Sequence, residues 1–347
     1  MIDVKNLSKT YRVHRRAPGL LAALRSVIRR RYDQVKAVDD LSFHIAEGER
    51  VGFLGPNGAG KTTTLKVLSG LLYPSAGEVR VGGYVPQQRD PSFLRLITLV
   101  MGQKQQLMWD LPPSDTYAMN RAIYDLPRAQ ADATQKALIE LLDIGDLIGK
   151  PTRQLSLGER MKCELVAALL HQPRILFLDE PTIGLDVSMQ AKMREFIRDY
   201  NQRYGAAVLL TSHYMDDVVA LCPRVIVIDR GRLVYDGNLQ ELVRRVRPDK
   251  RVSMRLSAPV ERAVLDKLGT VVTAEPAQAV LSVPALKVNV VVRDALAALP
   301  VVDLTIEDPP LEEVMREMFS AERARERERE REPSGDAPGK PQAVESG

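Results

Sequence analysis

The chain has 347 residues, 45% of them hydrophobic, enough to bury one large core and a smaller second one. A net charge of +4 implies no nucleic-acid scaffold, and the two cysteines, Cys163 and Cys222, form neither a metal-spaced pair nor a disulfide framework. No apolar run approaches the roughly 18 residues that span a bilayer, and no charged-then-apolar leader pattern opens the chain. The sequence therefore reads as a cytosolic polypeptide that can dock on a membrane partner.

Residues 2–13 read as a strand, with Tyr11 near its end. From 14 to 36 the character changes: seven cations stand against the single Asp33, a net +6. Leu20, Leu21, Leu24, Val27 and Ile28 recur there at helical spacing, so a basic amphipathic helix is expected over about 19–32. Such a helix suits an anionic membrane surface, or else covers an apolar surface of this protein or its partner. Strands follow at 38–45 and 49–54.

Gly55-Pro56-Asn57-Gly58-Ala59-Gly60-Lys61-Thr62 then satisfies the Gly-x4-Gly-Lys-Thr pattern of a phosphate-binding loop, between a buried strand and a helix over 62–72. Glycines let the backbone N–H groups curl inward around a phosphate chain, and the helix N-terminus adds positive potential. In this pattern Lys61 reaches the β- and γ-phosphates, the Thr62 hydroxyl holds Mg2+, and Thr63 continues the loop. The expected ligand is a nucleoside triphosphate.

Further strands are expected at 77–81 and 95–101, then a mostly helical segment over 104–155 with helices at 114–125 and 128–143. Ile175 to Leu178 is an apolar run of the buried parallel-strand kind, ending in Asp179 and Glu180. Placed beside the loop, this strand would set Asp179 at the Mg2+ hydration shell and Glu180 where it polarises a water in line with the γ-phosphate. A helix with Met189, Met193, Phe196, Ile197 and Tyr200 on one face follows, then strands at 207–210 and 225–228. Alternation of this sort makes an α/β core.

Beyond about 245 the segments 252–256, 280–283, 288–292 and 302–306 read as strands. The last alternates Val302, Leu304 and Ile306 with polar residues. Asp308-Pro309 reads as a helix cap and first turn. The domains expected are a nucleotide-binding domain over 1–245, a small α+β domain over 250–320, and a charged, disordered tail over 321–347.

Leu155-Ser156-Leu157-Gly158-Glu159, ahead of a helix over 160–170, resembles the Leu-Ser-Gly-Gly-Gln signature of ABC transporter ATPases. The resemblance covers about 2–240, with the family's motifs in order: Tyr11, the phosphate loop, a glutamine loop, the signature, the paired carboxylates, Gly184-Leu185-Asp186, and Thr211-Ser212-His213. It implies an α/β P-loop NTPase core of the ABC type with an inserted helical subdomain (104–170 with the signature helix), beside the small C-terminal α+β domain. It also implies a homodimer in which Ser156 and Gly158 face the γ-phosphate of the second copy and Asp186 reaches across. Leu157 and Glu159 depart from the usual glycine and glutamine.

By the same resemblance His213 contacts the γ-phosphate beside Glu180, and Tyr11 stacks on adenine. Gln103 ends the strand before the helical segment and is taken over Gln87 as the residue that binds Mg2+ or water and senses a transmembrane partner. Within the family the chain looks most like the drug-, sodium- and viologen-exporter branch, whose permeases are separate chains. That implies a peripheral place on the inner face of the membrane, with 104–155 passing motion to a permease helix in a groove beside Gln103. An importer ATPase and a soluble ABC ATPase acting on ribosomes or DNA are the competing classes; no nucleic acid is expected.

Overall fold

The computed structural model describes residues 1–14, 32–102 and 105–331, and the chain divides into two compact units, Met1–Leu242 and Val243–Gly347. The first unit opens with β1 (Ile2–His14), β2 (Tyr32–Ile45), β3 (Arg50–Leu54), α1 (Lys61–Leu68) and β4 (Ala76–Val81). Next come α2 (Pro91–Leu96), β5 (Ile97–Met101), α3 (Pro113–Ile123), α4 (Arg128–Leu142) and α5 (Leu157–Leu169). The unit continues through β6 (Ile175–Asp179), α6 (Val187–Tyr204), β7 (Ala207–Thr211), α7 (Met215–Leu221), β8 (Arg224–Asp229) and β9 (Arg232–Asn238), and the division at Leu242 falls within α8 (Leu239–Val246).

Six strands form the main sheet in the order β5-β6-β7-β3-β8-β9, parallel except for the β9 edge. In this order β7 lies between β3 and β6. A three-stranded antiparallel sheet, β2-β1-β4, packs its apolar face into a core shared with α1 and the main sheet, including Ile2, Leu41, Leu65, Phe53 and Phe177. Each such side chain contributes about 1.5–3 kcal/mol on burial. The helices α3, α4 and α5 sit between β5 and β6 in sequence, and α3 is fastened to α5 by Tyr117 Oη donating to Cys163 O and Asn120 Nδ2 donating to Ala167 O. Both cysteines are buried, which pushes their thiols up to about 11 for Cys163 and about 12 for Cys222.

The arms of the basic insertion are strand, not helix: His14 pairs with Tyr32, Tyr11 with Val35 and Thr10 with Lys36 across β1 and β2. The amphipathic helix expected over about 19–32 lies outside the described residues, apart from Tyr32 at the start of β2. The expected strand at 95–101 is shortened to β5, since Asp90 caps α2 by accepting from Ser92 N and Pro91 starts that helix.

The second unit holds β10 (Asp249–Leu256), α9 (Arg262–Leu265), β11 (Thr270–Glu275), β12 (Gln278–Pro284), α10 (Val288–Ala298), β13 (Val301–Glu307) and α11 (Leu311–Arg331). Its sheet order β11-β12-β10-β13, all antiparallel, is that of a ferredoxin-like β-α-β-β-α-β unit. Residues 288–292, expected as strand, are the start of α10: Val288, Val291 and Ala295 are buried at helical spacing. Val302 and Ile306, on the edge strand β13, stay 59% and 46% exposed. Asp308 caps no helix; it pairs with Lys250, and α11 begins at Leu311 and runs to Arg331, so 321–331 is helical rather than a disordered tail.

Candidate functional site

Loops at the C-terminal ends of β3, β6 and β7 converge, the position at which open α/β sheets place ligands. After β3, Gly55 to Gly60 turn tightly into α1, with Ala59 N donating to Pro56 O at 3.1 Å. Gly60 caps α1 at φ 105°, and a Cβ there would meet Ala37 O at 2.3 Å, so only glycine fits. Asn57 and Gly58 are exposed, Ala59 is buried, and Thr63 is half-buried in the first turn of α1. Lys61 donates to the carbonyls of Gly55 at 2.6 Å and Pro56 at 3.2 Å. Burial pushes its ammonium down, while the Glu180 and Asp179 carboxylates oppose that.

The two other strand ends brace this loop. Thr62 Oγ1 donates to Asp179 Oδ2 at 2.9 Å, and Thr211 Oγ1 donates to Asp179 Oδ1 at 2.7 Å. The backbone N–H of Glu180 donates to Thr211 O at 3.0 Å and to Thr211 Oγ1 at 3.2 Å. Glu180 stands at φ 56°, and its Oε1 lies 2.8 Å from His213 Nε2. A carboxylate and an imidazole at that distance can share a proton drawn from a water. Thus Lys61, Thr62, Asp179, Glu180 and His213 are brought together although they are separated in sequence.

The bracing roles of two supporting residues have no counterpart among the sequence expectations, although Thr211 itself stands in the Thr211-Ser212-His213 motif. Thr211 bridges both carboxylate positions; its place two residues before His213 was the available signal. Asp217, fully buried in α7, accepts from Thr182 Oγ1, Ser212 Oγ and Arg194 Nη1 and so fixes the strand-end loops below His213. Nothing in its local sequence distinguishes it from a surface aspartate.

The signature residues form a separate constellation at the N-terminus of α5. Ser156 accepts from Glu159 N at 3.3 Å, and Glu159 Oε2 accepts from Ser156 N at 2.8 Å, a reciprocal capping box. These bonds to Ser156 hold the Glu159 carboxyl below the usual range. The Ser-x-x-Glu spacing was the sequence signal for this role. Ser156 and Leu157 are exposed, Gly158 half-buried, and Leu157 packs toward Gly184 while Gly158 faces Met189. Asp186 is the exposed N-cap of α6, accepting from Met189 N at 2.8 Å.

Tyr11 lies on β1, half-buried, with Lys9 Nζ 5.4 Å from its ring centroid. Gln103 lies outside the described residues. Next to it in sequence, Gln105 and Gln106 line a groove of about 580 Å³ with Leu71, Arg89, Leu99 and Tyr124. Gln87 is tied to the carbonyls of Val67 and Leu72, which leaves its amide structural. No helix of the described residues is long and apolar enough to cross a membrane.

Comparison with known proteins places these features in a family. Residues 38–183 match the family described as ABC transporter, and residues 248–307 match the EvrA-like ABC transporter C-terminal domain. A daunorubicin resistance ATP-binding protein of Streptomyces coeruleorubidus is 33% identical over 300 residues, covering 85% of this chain and 94% of that protein. A Nod factor export ATP-binding protein of Burkholderia thailandensis is 35% identical over 216 residues, 62% of this chain and 70% of the relative. Among solved structures, a dimeric post-hydrolysis state of an ATP-binding cassette bound to ADP and Pi aligns with a TM-score of 0.57 and 22% identity. It covers 69% of this chain and 99% of that one, a likeness of fold.

Proposed function

Since the chain belongs to the ABC transporter ATP-binding proteins, which are ATPases, we propose that two copies of it close on ATP and drive export through permease subunits on separate chains. One observation carries this reading. Lys61, Thr62, Asp179, Glu180 and His213 converge on one side, while Ser156 stands exposed at a capped helix N-terminus that none of their contacts involves. Each site thus has a phosphate-binding half and an offered half, and pairing head to tail completes both.

In this reading the Gly55–Thr63 loop binds the triphosphate and Lys61 neutralises its β- and γ-oxygens. The Thr62 hydroxyl and the Asp179 carboxylate are hard oxygen donors that fit Mg2+, Asp179 through water. Among the described residues no cluster of three or more His, Cys, Asp or Glu side chains could cage a metal, which suits an ion held largely by phosphates and water. Bound there, Mg2+ would supply charge neutralisation for the phosphates. Glu180 takes the proton of the attacking water, and His213 holds that carboxylate and the water in line. From the second copy, Ser156 donates its hydroxyl proton, since its oxygen already accepts from Glu159 N; Gly158 offers its N–H, Leu157 and Glu159 shape the contact, and Asp186 reaches across. Tyr11 stacks on the adenine, and Gln103 senses the permease, which docks in the groove beside Gln105 and Gln106. Resistance and export names among the relatives support outward transport, with the protein peripheral on the inner face of the membrane. The basic stretch over 14–36 adds an anionic membrane contact to this reading.

The test is Glu180→Gln in the full chain. ATP binding should persist, phosphate release should fall by about 100-fold or more, and size-exclusion chromatography should show a dimer that forms only with ATP. Unchanged turnover would remove Glu180 from its role; a chain that turns over ATP as a monomer would end the two-copy reading.

A further inference from the structure

The helix α5 carries a buried carboxylate that the reading above does not use. Glu164 is 4% exposed. Both of its oxygens accept from Gln106 N at 2.9 Å, and Oε1 also accepts from Leu107 N at 3.1 Å. Burial pushes its carboxyl up and the two backbone donors pull it back. Burying a carboxylate is costly unless such donors meet it, so this one is committed to holding that backbone.

Arg160 lies four residues earlier on the same face of α5, and its guanidinium sits 5.9 Å from the ring centroid of Trp109. The signature helix therefore grips residues 106–109 at two points one turn apart. At one end of this strap, Gln106 lines the groove. At the other, Trp109 O accepts from Arg153 N at 3.0 Å, three residues before Ser156. The bonds from Tyr117 and Asn120 to α5 fasten α3 and not the strap.

We propose that Glu164 is a positioning residue that makes the groove wall and the signature helix one mechanical piece, so that a permease segment seated in the groove displaces Ser156 relative to the nucleotide of the second copy. The inference rests on the two-copy, permease-docked function proposed above and names the residue that links its two surfaces. A hydrocarbon at position 164 would leave two N–H groups without their acceptor, and the strap could slide while the helical bundle stayed assembled.

The experiment compares Glu164→Ala with Glu164→Gln in the full chain. Because Oε1 reaches both donors, glutamine keeps that acceptor, while it loses the charge and turns an NH2, in place of the second oxygen, away from Gln106 N. Glu164→Ala should lower kcat for ATP about tenfold with KM within about twofold, and Glu164→Gln should restore most of it. Amide exchange at 105–109 should accelerate in the alanine variant while α3 keeps its protection. Trp109 is the sole tryptophan, so its emission should respond to MgATP in the parent and glutamine chains and not in the alanine chain. An alanine variant with unchanged exchange at 105–109, or with kcat within about twofold of the parent, overturns the proposal. Should that variant fail to fold, Arg160→Leu takes its place, and normal kcat there overturns it equally. A parent chain without any ATP turnover would defeat the function proposed above instead, while exchange and emission would still judge the strap.

Discussion

Asp179 and Ser156 are both polar groups that the proposed function assigns to one triphosphate, yet the fold supports them in different ways. Asp179 is 9% exposed and accepts from hydroxyls on two neighbouring elements, so its position is set by β6, β7 and α1 together. Ser156 is exposed, and its hydroxyl is met by Glu159 N, three residues away on its own helix. The lesson is that the phosphate-loop half is built before anything binds, whereas the signature half is shaped locally and aimed by whatever moves α5. Preorganised donors in a buried cluster lose little on reaction, while an exposed cap gains its worth only when a second surface excludes water.

Substitutions can break or sharpen that contrast. Lys61→Ala should have the largest effect, lowering ATP affinity about tenfold to 100-fold through loss of charge-assisted hydrogen bonds, as read by equilibrium binding; affinity within error of the parent would show that the loop binds without it. Next, Thr211→Val removes the hydroxyl shared by Asp179 and Glu180 N while conserving shape. It should cost about 1–3 kcal/mol of stability and reduce turnover, and a denaturant titration with unchanged midpoint would mean the brace is ornamental. On the exposed half, Glu159→Gln conserves the capping geometry and removes a negative charge that the proposed pairing would set beside the second copy's phosphates. The protein concentration for half-maximal turnover should fall about fivefold; a rise would mean the charge assists pairing.

The smallest effect concerns His171, buried, stacked on Tyr124 at 4.0 Å, with Nε2 3.0 Å from Ile97 O and Nδ1 without a partner. Burial pushes its pKa below the ordinary 6.5. The unfolded chain therefore binds the extra proton, so stability declines as pH falls below the unfolded value, toward the folded one. Melting scans at about pH 7.5 and about pH 5.5 should show this loss in the parent and less of it in His171→Phe; equal slopes would place the effect elsewhere.

Much of the braced half is legible in sequence because its motifs are contiguous and their chemistry is local. Gly55 to Thr62 and Ile175 to Glu180 each declare a strand and its polar end. What stayed illegible is set by distant pairing: β7 between β3 and β6, and Asp217 under His213. Residues 288–292 misled because a run of valines favours strand, while the deciding signal, Val288, Val291 and Ala295, extends beyond that window. Glu159 was visible only as a departure from a family pattern, although its spacing from Ser156 is a capping box.

The backbone at Glu180 has one more implication. A left-handed setting at φ 56° costs a residue with a Cβ about 1 kcal/mol relative to glycine, and the close approach of Gly102, whose Cβ would meet Glu180 O at 2.1 Å, leaves that peptide no room to relax. A screen for heat resistance at this position would accordingly enrich glycine, and its best survivors would be the least able to spend ATP. Melting temperature and transport are therefore opposed at the residue on which turnover is proposed to depend.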